Sequence, residues 1–264
     1  MQNSPPSSFF ADAQIASDAP VPQTRTSERL SFLKQVYKLL TLTVAFATLG
    51  AAAALYVGAD SAELVFRSPS GVVVPIPPIV AFFGEHYIIS FILLLGSVLF
   101  TSSVRSKPQL NTAALLGMGF IAGLTTGPLV FVAQVAALQG SSLTLTPVRD
   151  AFITAVVAFS GLTGYVMITK KDFSYLRGFL TMGFFVVLAA LLLSFFFGSS
   201  ILSLAVSSVG VVLFAGYTLY DTSKLLRSYD DGMDISATGG AINLFLDFLN
   251  LFVFLLRIFA GGRR

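Results

Sequence analysis

The 264-residue chain has no cysteine, a single histidine and few charges, with Asp, Glu, Lys and Arg making up 11% of it. Without cysteine there is no disulfide framework, no thiolate nucleophile and no cysteine-based metal site, although reducing and oxidising compartments both tolerate that absence. The chain also lacks a Walker loop, an HExxH helix, a GxSxG elbow and a paired-cysteine motif, so enzymatic chemistry has neither nucleophile nor metal cage here. No internal repeat is visible, which argues against an inverted-repeat transporter. The lone histidine, His86, lies near the end of an apolar stretch, where it reads as an interfacial polar residue.

What the chain does have is apolar length. It is 55% hydrophobic with 26 Phe, and its mean hydropathy is +0.83. The apolar residues fall in runs of about 20, the length an α-helix needs to cross a bilayer core, and not in the short alternating segments of an outer-membrane barrel. The fold class is therefore all-α: a polytopic membrane protein built as a helical bundle. The Phe residues are packing and lipid-facing bulk with no cofactor signature. A net charge of +3 and a pI near 9.2 do not indicate nucleic acid, because the basic residues flank the apolar runs and act as topology signals.

Residues 1–30, rich in Pro, Ser, Ala and Gln, read as a disordered cytoplasmic tail and not as a signal peptide. Residues 31–264 form the membrane domain. Its spans run roughly Val36 to Val57, Ile79 to Val104, Leu110 to Leu138, Ala151 to Thr169, Leu176 to Gly198, Ile201 to Leu226 and Ala241 to Ala260. Gly127-Pro128 is expected to break the third span, with Thr125 and Thr126 serving the freed backbone groups. The fifth and sixth, joined by a short uncharged turn, must be antiparallel neighbours. Arg25, Arg29, Lys34 and Lys38 introduce the first span, Arg105 and Lys107 end the second, and Lys170 and Lys171 end the fourth, which places the N-terminus and these loops inside. Seven crossings put Arg263 and Arg264 outside, against that bias, whereas a re-entrant last segment would keep them inside; seven crossings is the favoured reading.

Apart from Glu85 near the outer end of the second, two carboxylates fall within these spans, Asp221 in the sixth and Asp247 in the seventh. An intramembrane charge is costly and marks a functional site by default, although polar residues in bundles also simply fix helix register. Ser203, Ser207, Gly210, Phe214, Tyr217 and Asp221 recur at helical spacing on one face, and Asn243, Asp247, Asn250, Phe254 and Arg257 do so on the next helix. Both faces should point into the bundle. Brought within hydrogen-bond distance, two such carboxylates do not both ionise and instead share a proton, which makes a pH switch that holds or parts the two helices. Deprotonated, Asp221 and Asp247 would attract a passing metal cation. Arg257 lies about ten residues, or roughly 15 Å, from Asp247 along the helix, where it either pairs with the acids or snorkels. Arg105 is better placed in depth to meet Asp221. Asp230, Asp231 and Asp234 form an acidic run that reads as a solvated loop.

At these residues the chain resembles the Bax inhibitor family. The likeness runs from about Phe32 to Phe259 and is most specific in GYTLYDTSKLL (216–226) and INLFLDFLNLFVFLLRIF (242–259), supported by GLTTGPL (123–129) and ITKKDFSYLRGFL (168–180), the last of bacterial type. The resemblance implies a seven-helix fold with a central C-terminal helix, and a proton-sensitive calcium leak gated by an aspartate dyad at Asp221 and Asp247, with Arg105 as the basic residue engaging the first acid. Where bacterial members often carry several consecutive basic residues, this chain has only Arg105 and Lys107. Some bacterial members resemble modulators of a membrane-bound AAA protease, a role that residues 1–30 would suit.

The partners so implied are the lipid bilayer, calcium ions as permeant and a membrane AAA protease, with no resident cofactor. The implied location is a bacterial inner membrane, or otherwise an organelle membrane such as the endoplasmic reticulum.

Overall fold

The computed structural model describes residues 23–61, 63–67, 73–139, 147–197, 200–233 and 236–261. Eight α-helices dominate it: α1 (Gln23–Tyr56), α2 (Pro78–Glu85), α3 (Tyr87–Val104), α4 (Asn111–Gln139), α5 (Pro147–Thr169), α6 (Arg177–Phe197), α7 (Ser200–Asp230) and α8 (Ala237–Gly261). All but α2 are long and apolar enough to cross a membrane, giving seven spans. α8 is one unbroken helix, so the re-entrant alternative for the last segment does not hold. Residues 23–30, assigned above to the tail, are the first turns of α1; residues 1–22, Asp234, Arg263 and Arg264 lie outside the described residues.

Two spans depart from expectation. The second is divided at His86, where the backbone leaves the helical region (φ −108°, ψ 54°) and ends α2 before α3 begins. Its ring stacks on Phe82 at 4.9 Å, and Ser90 Oγ donates to the carbonyls of Phe83 and His86 across the break. The third is not broken at Gly127-Pro128: α4 continues through Pro128. Thr125 and Thr126 donate to Ile121 and Ala122, a turn before the Leu124 carbonyl that Pro128 leaves unpaired. Packing against α1 supports the helix up to Gly127, and Gly84 of α2 lies next to Pro128. The loop before α2 also holds a small antiparallel hairpin, β1 (Val65–Arg67) with β2 (Val73–Pro75), in register Phe66 to Val74.

Small residues decide which helices meet. Gly119, Gly123 and Gly127 line one face of α4 and lie against Thr43, Ala47 and Ala54 of α1; a Cβ on Gly119 would come within 2.6 Å of the Thr43 carbonyl oxygen. Without a hydrophobic driving force inside lipid, such close backbone approach is what joins helices. α3 packs on α4, and α6 packs on α7, as its short connection requires. α8 sits at the centre, in contact with α1, α4, α5 and α7. Its Phe245, Leu251 and Leu256 are at most 1% exposed, whereas α6 turns Phe179, Met182, Phe185 and Val186 outward.

Candidate functional site

At the end of the bundle where α3, α5 and α7 finish, a polar cavity of about 550 Å³ is lined by Arg105, Asn111, Asp221, Lys224, Ser236 and Asn243, among others. The walls come from the end of α3, the starts of α4 and α8, and the last turns of α7. Gly239 and Gly240 keep the start of α8 slim: a Cβ on Gly240 would meet Leu225 of α7 at 2.8 Å, and the Arg105 side chain lies along Gly239. This end is also the basic end of the molecule. Among the described residues the cavity wall carries one carboxylate against two cations.

Asp221 is half-buried on the cavity wall. Lys224, one turn further along α7, is the cation that acts on it most directly. Arg105 is exposed on the same wall, and no ion pair joins it to Asp221 among the described residues. Asp247 lies deeper, on the α8 face that packs against α7. It is 4% exposed, its Oδ2 is enclosed without a hydrogen-bond partner, and the charge of Asp221 reaches it as Coulombic repulsion.

The polar stripe of α8 runs inward from this cavity. Asn243 is exposed on the wall, Asp247 follows one turn later, and Asn250 donates Nδ2 to the Leu246 carbonyl of its own helix at 2.8 Å. Beyond Asn250, Phe254 stacks on Phe214 of α7 with ring centroids 5.7 Å apart, and the Phe254 ring lies against Gly210. Tyr217 is in electrostatic reach of both acids, yet its hydroxyl donates to the Leu180 carbonyl of α6 at 3.1 Å and so ties α7 to α6. Arg257 lies on the far side of the Phe214–Phe254 contact, with Nε enclosed and unpartnered, and forms no ion pair with either acid among the described residues.

The family described as Inhibitor of apoptosis-promoting Bax1 matches residues 29–264. The chain belongs to the Bax inhibitor family. Its relatives include an uncharacterized protein of Campylobacter jejuni, 36% identical over 89% of this chain and 90% of its own. An uncharacterized membrane protein of Vibrio cholerae is 32% identical over 89% and 91%, and an uncharacterized protein of Pseudomonas aeruginosa is 35% identical over 87% and 90%.

In this Bax inhibitor family chain several site groups escape a reading of the sequence. Lys224, three residues after Asp221, is on the same helical face, yet it is absent from the polar stripe that the sequence suggests. Asn111 and Ser236 reach the cavity as the first residues of α4 and before α8. A second polar cluster joins α1, α5 and α7: the Tyr37 hydroxyl lies near Thr163 and Thr222, but none of the three enclosed oxygens has hydrogen-bond geometry. Nothing in local spacing brings those three together. Of the acidic run, Asp230 pairs with Arg29 at 3.3 Å. Among the described residues no three His, Cys, Asp or Glu side chains gather as a metal cage.

Proposed function

We propose that this protein is a pH-sensitive leak for cations, calcium above all, gated by Asp221 and Asp247. The observation that carries the reading is the enclosed, unpartnered carboxylate of Asp247 lying behind Asp221, which itself faces a polar cavity open at one end of the bundle. A carboxyl enclosed away from water, with the charge of a second carboxylate acting on it, holds a proton more readily than it would alone, so in this reading the pair carries one proton. With the proton in place the path stays closed at Phe214 and Phe254; its loss sets α7 against α8 and offers hard oxygen ligands to a divalent cation. The basic residues at the cavity end support a cytoplasmic position for that end, with the N-terminus, in a bacterial inner membrane.

The test is calcium flux into proteoliposomes from about pH 6 to about pH 8, the window in which a shared carboxylate proton is released. Asp221→Asn and Asp247→Asn should each abolish the pH response; a wild-type response in both variants overturns the dyad.

One observation favours a second reading. Arg105 and Lys224 outnumber Asp221 on the cavity wall and oppose cation entry. A non-conducting regulator of a membrane AAA protease or stress pathway would need no such entry. It predicts absent flux in purified protein, and loss of protease inhibition on deletion of residues 1–22.

A further inference from the structure

α1 and α5 both pack on α8 and not along one another. Between them runs a crevice in two chambers. One, of about 340 Å³, is lined by Ala47, Thr48, Gln134, Arg149 and Leu249. The other, of about 490 Å³, continues past Val44, Phe152 and Phe248, which border both, toward Thr163 and Met167. Phe152 is the waist, its ring edge-on to Phe248 at 5.9 Å and to Phe252 at 6.2 Å. From Arg149 to Met167 is 18 helical steps, or roughly 27 Å, nearly the full depth of a bilayer core.

A crevice between spanning helices faces lipid. Its walls are mostly aromatic and aliphatic, so water filling it would lose hydrogen bonds that a hydrocarbon chain does not need. At the end away from the polar cavity stands a cation. The Arg149 side chain is 45% exposed while its neighbour Asp150, which accepts from Nε and Nη2 through one oxygen, is 18% exposed. The pair thus turns its guanidinium outward, with further N–H donors left for a phosphate.

We propose that this crevice is a binding site for an anionic phospholipid of the leaflet at the Arg149 end, its phosphate on Arg149 and one acyl chain in the chamber between Thr48 and Phe152. The occupant packs α1 against α5 over α8 and so couples lipid composition to the stability of the central helix.

The experiment uses the full chain purified in detergent, with phosphatidylglycerol and phosphatidylcholine of identical chains added in competition and bound lipid counted by native mass spectrometry. The wild type should prefer phosphatidylglycerol by roughly tenfold, the value of one charge-assisted contact. Arg149→Gln should lose the preference and keep lipid binding; Thr48→Trp, at an exposed position on the chamber wall, should lose both lipids. Inorganic phosphate alone should leave the thermal transition unchanged. No preference in wild type, a preference that survives Arg149→Gln, or a thermal shift with inorganic phosphate equal to that with lipid overturns the proposal.

Discussion

Gly210 of α7 lies against the ring of Phe254 of α8 so closely that a Cβ built on it would come within 2.6 Å of Cδ1. This contact sets the separation of the two helices that carry the aspartates. Gly210→Ala gains helix propensity of about 1 kcal/mol, but in a packed interface the methyl group displaces a ring that also stacks on Phe214. Overpacking of this kind costs about 1–3 kcal/mol. The variant should unfold at lower temperature than wild type in detergent, and Gly210→Val lower still. Pairing Gly210→Ala with Phe254→Leu should restore most of the loss.

The spans were legible in the sequence because lipid demands about 20 apolar residues and nothing else in a short chain looks like that. The break at His86 was not, since Glu85-His86-Tyr87 contains neither proline nor glycine and its geometry is set by the Phe82 ring and the Ser90 hydroxyl. Pro128 misled in the other direction: a breaker in isolation, it is tolerated where Gly127 lets α1 press on the same helix. At the site, helical spacing put Asp221 and Asp247 on inward faces. It could not say that Tyr217 would spend its hydroxyl on Leu180, or that Arg105 and Asp221 would share a cavity wall without pairing, because those outcomes depend on the positions of α6 and α3.

The buried hydroxyl of Tyr37 gives a prediction of small effect. It is enclosed near Thr163 and Thr222 without hydrogen-bond geometry. Removing a polar group that has no good partner gives up little and relieves desolvation. Tyr37→Phe should therefore change stability by less than about 1 kcal/mol, toward stabilisation. Thermal unfolding of the two proteins side by side measures it, and a loss above that would mean an ordered water completes the cluster.

Outside the membrane, Asp172 gives a pH prediction. The backbone N–H of Ser174 holds its carboxyl below the ordinary range, helped by the Ser174 hydroxyl and by Arg227. Oδ1 accepts from Ser174 N at 2.7 Å, and Oδ2 accepts from Arg227 at 3.1 Å. Since the folded state favours the carboxylate, its contribution is present above the unfolded value of about 3.9 and is lost as pH falls below that toward the folded value. Asp172→Ala should be less stable than wild type at neutral pH, and the difference should close as pH falls below about 4. Unfolding temperatures across that window decide it; a gap that stays constant with pH would mean the side chain acts through packing alone.

The deepest carboxylate gives the sharpest test of how the bundle tolerates its own site. Asp247 has the buried Phe245, Phe248 and Leu251 near it along its helix, with Oδ2 enclosed and unpartnered and Asp221 repelling it across the helix pair. A buried polar group with no partner costs about 1–3 kcal/mol, and an apolar side chain of similar volume avoids that cost. Asp247→Leu should therefore raise the unfolding temperature. Asp221→Leu, changed at a half-buried wall position where Lys224 already compensates the charge, should move it less. Stability and flux then separate: a protein that gains stability on losing Asp247 keeps that residue for its function. If Asp247→Leu unfolds earlier than wild type instead, a water or cation holds the carboxylate in place, and chelation of divalent ions from the wild type would reproduce the loss.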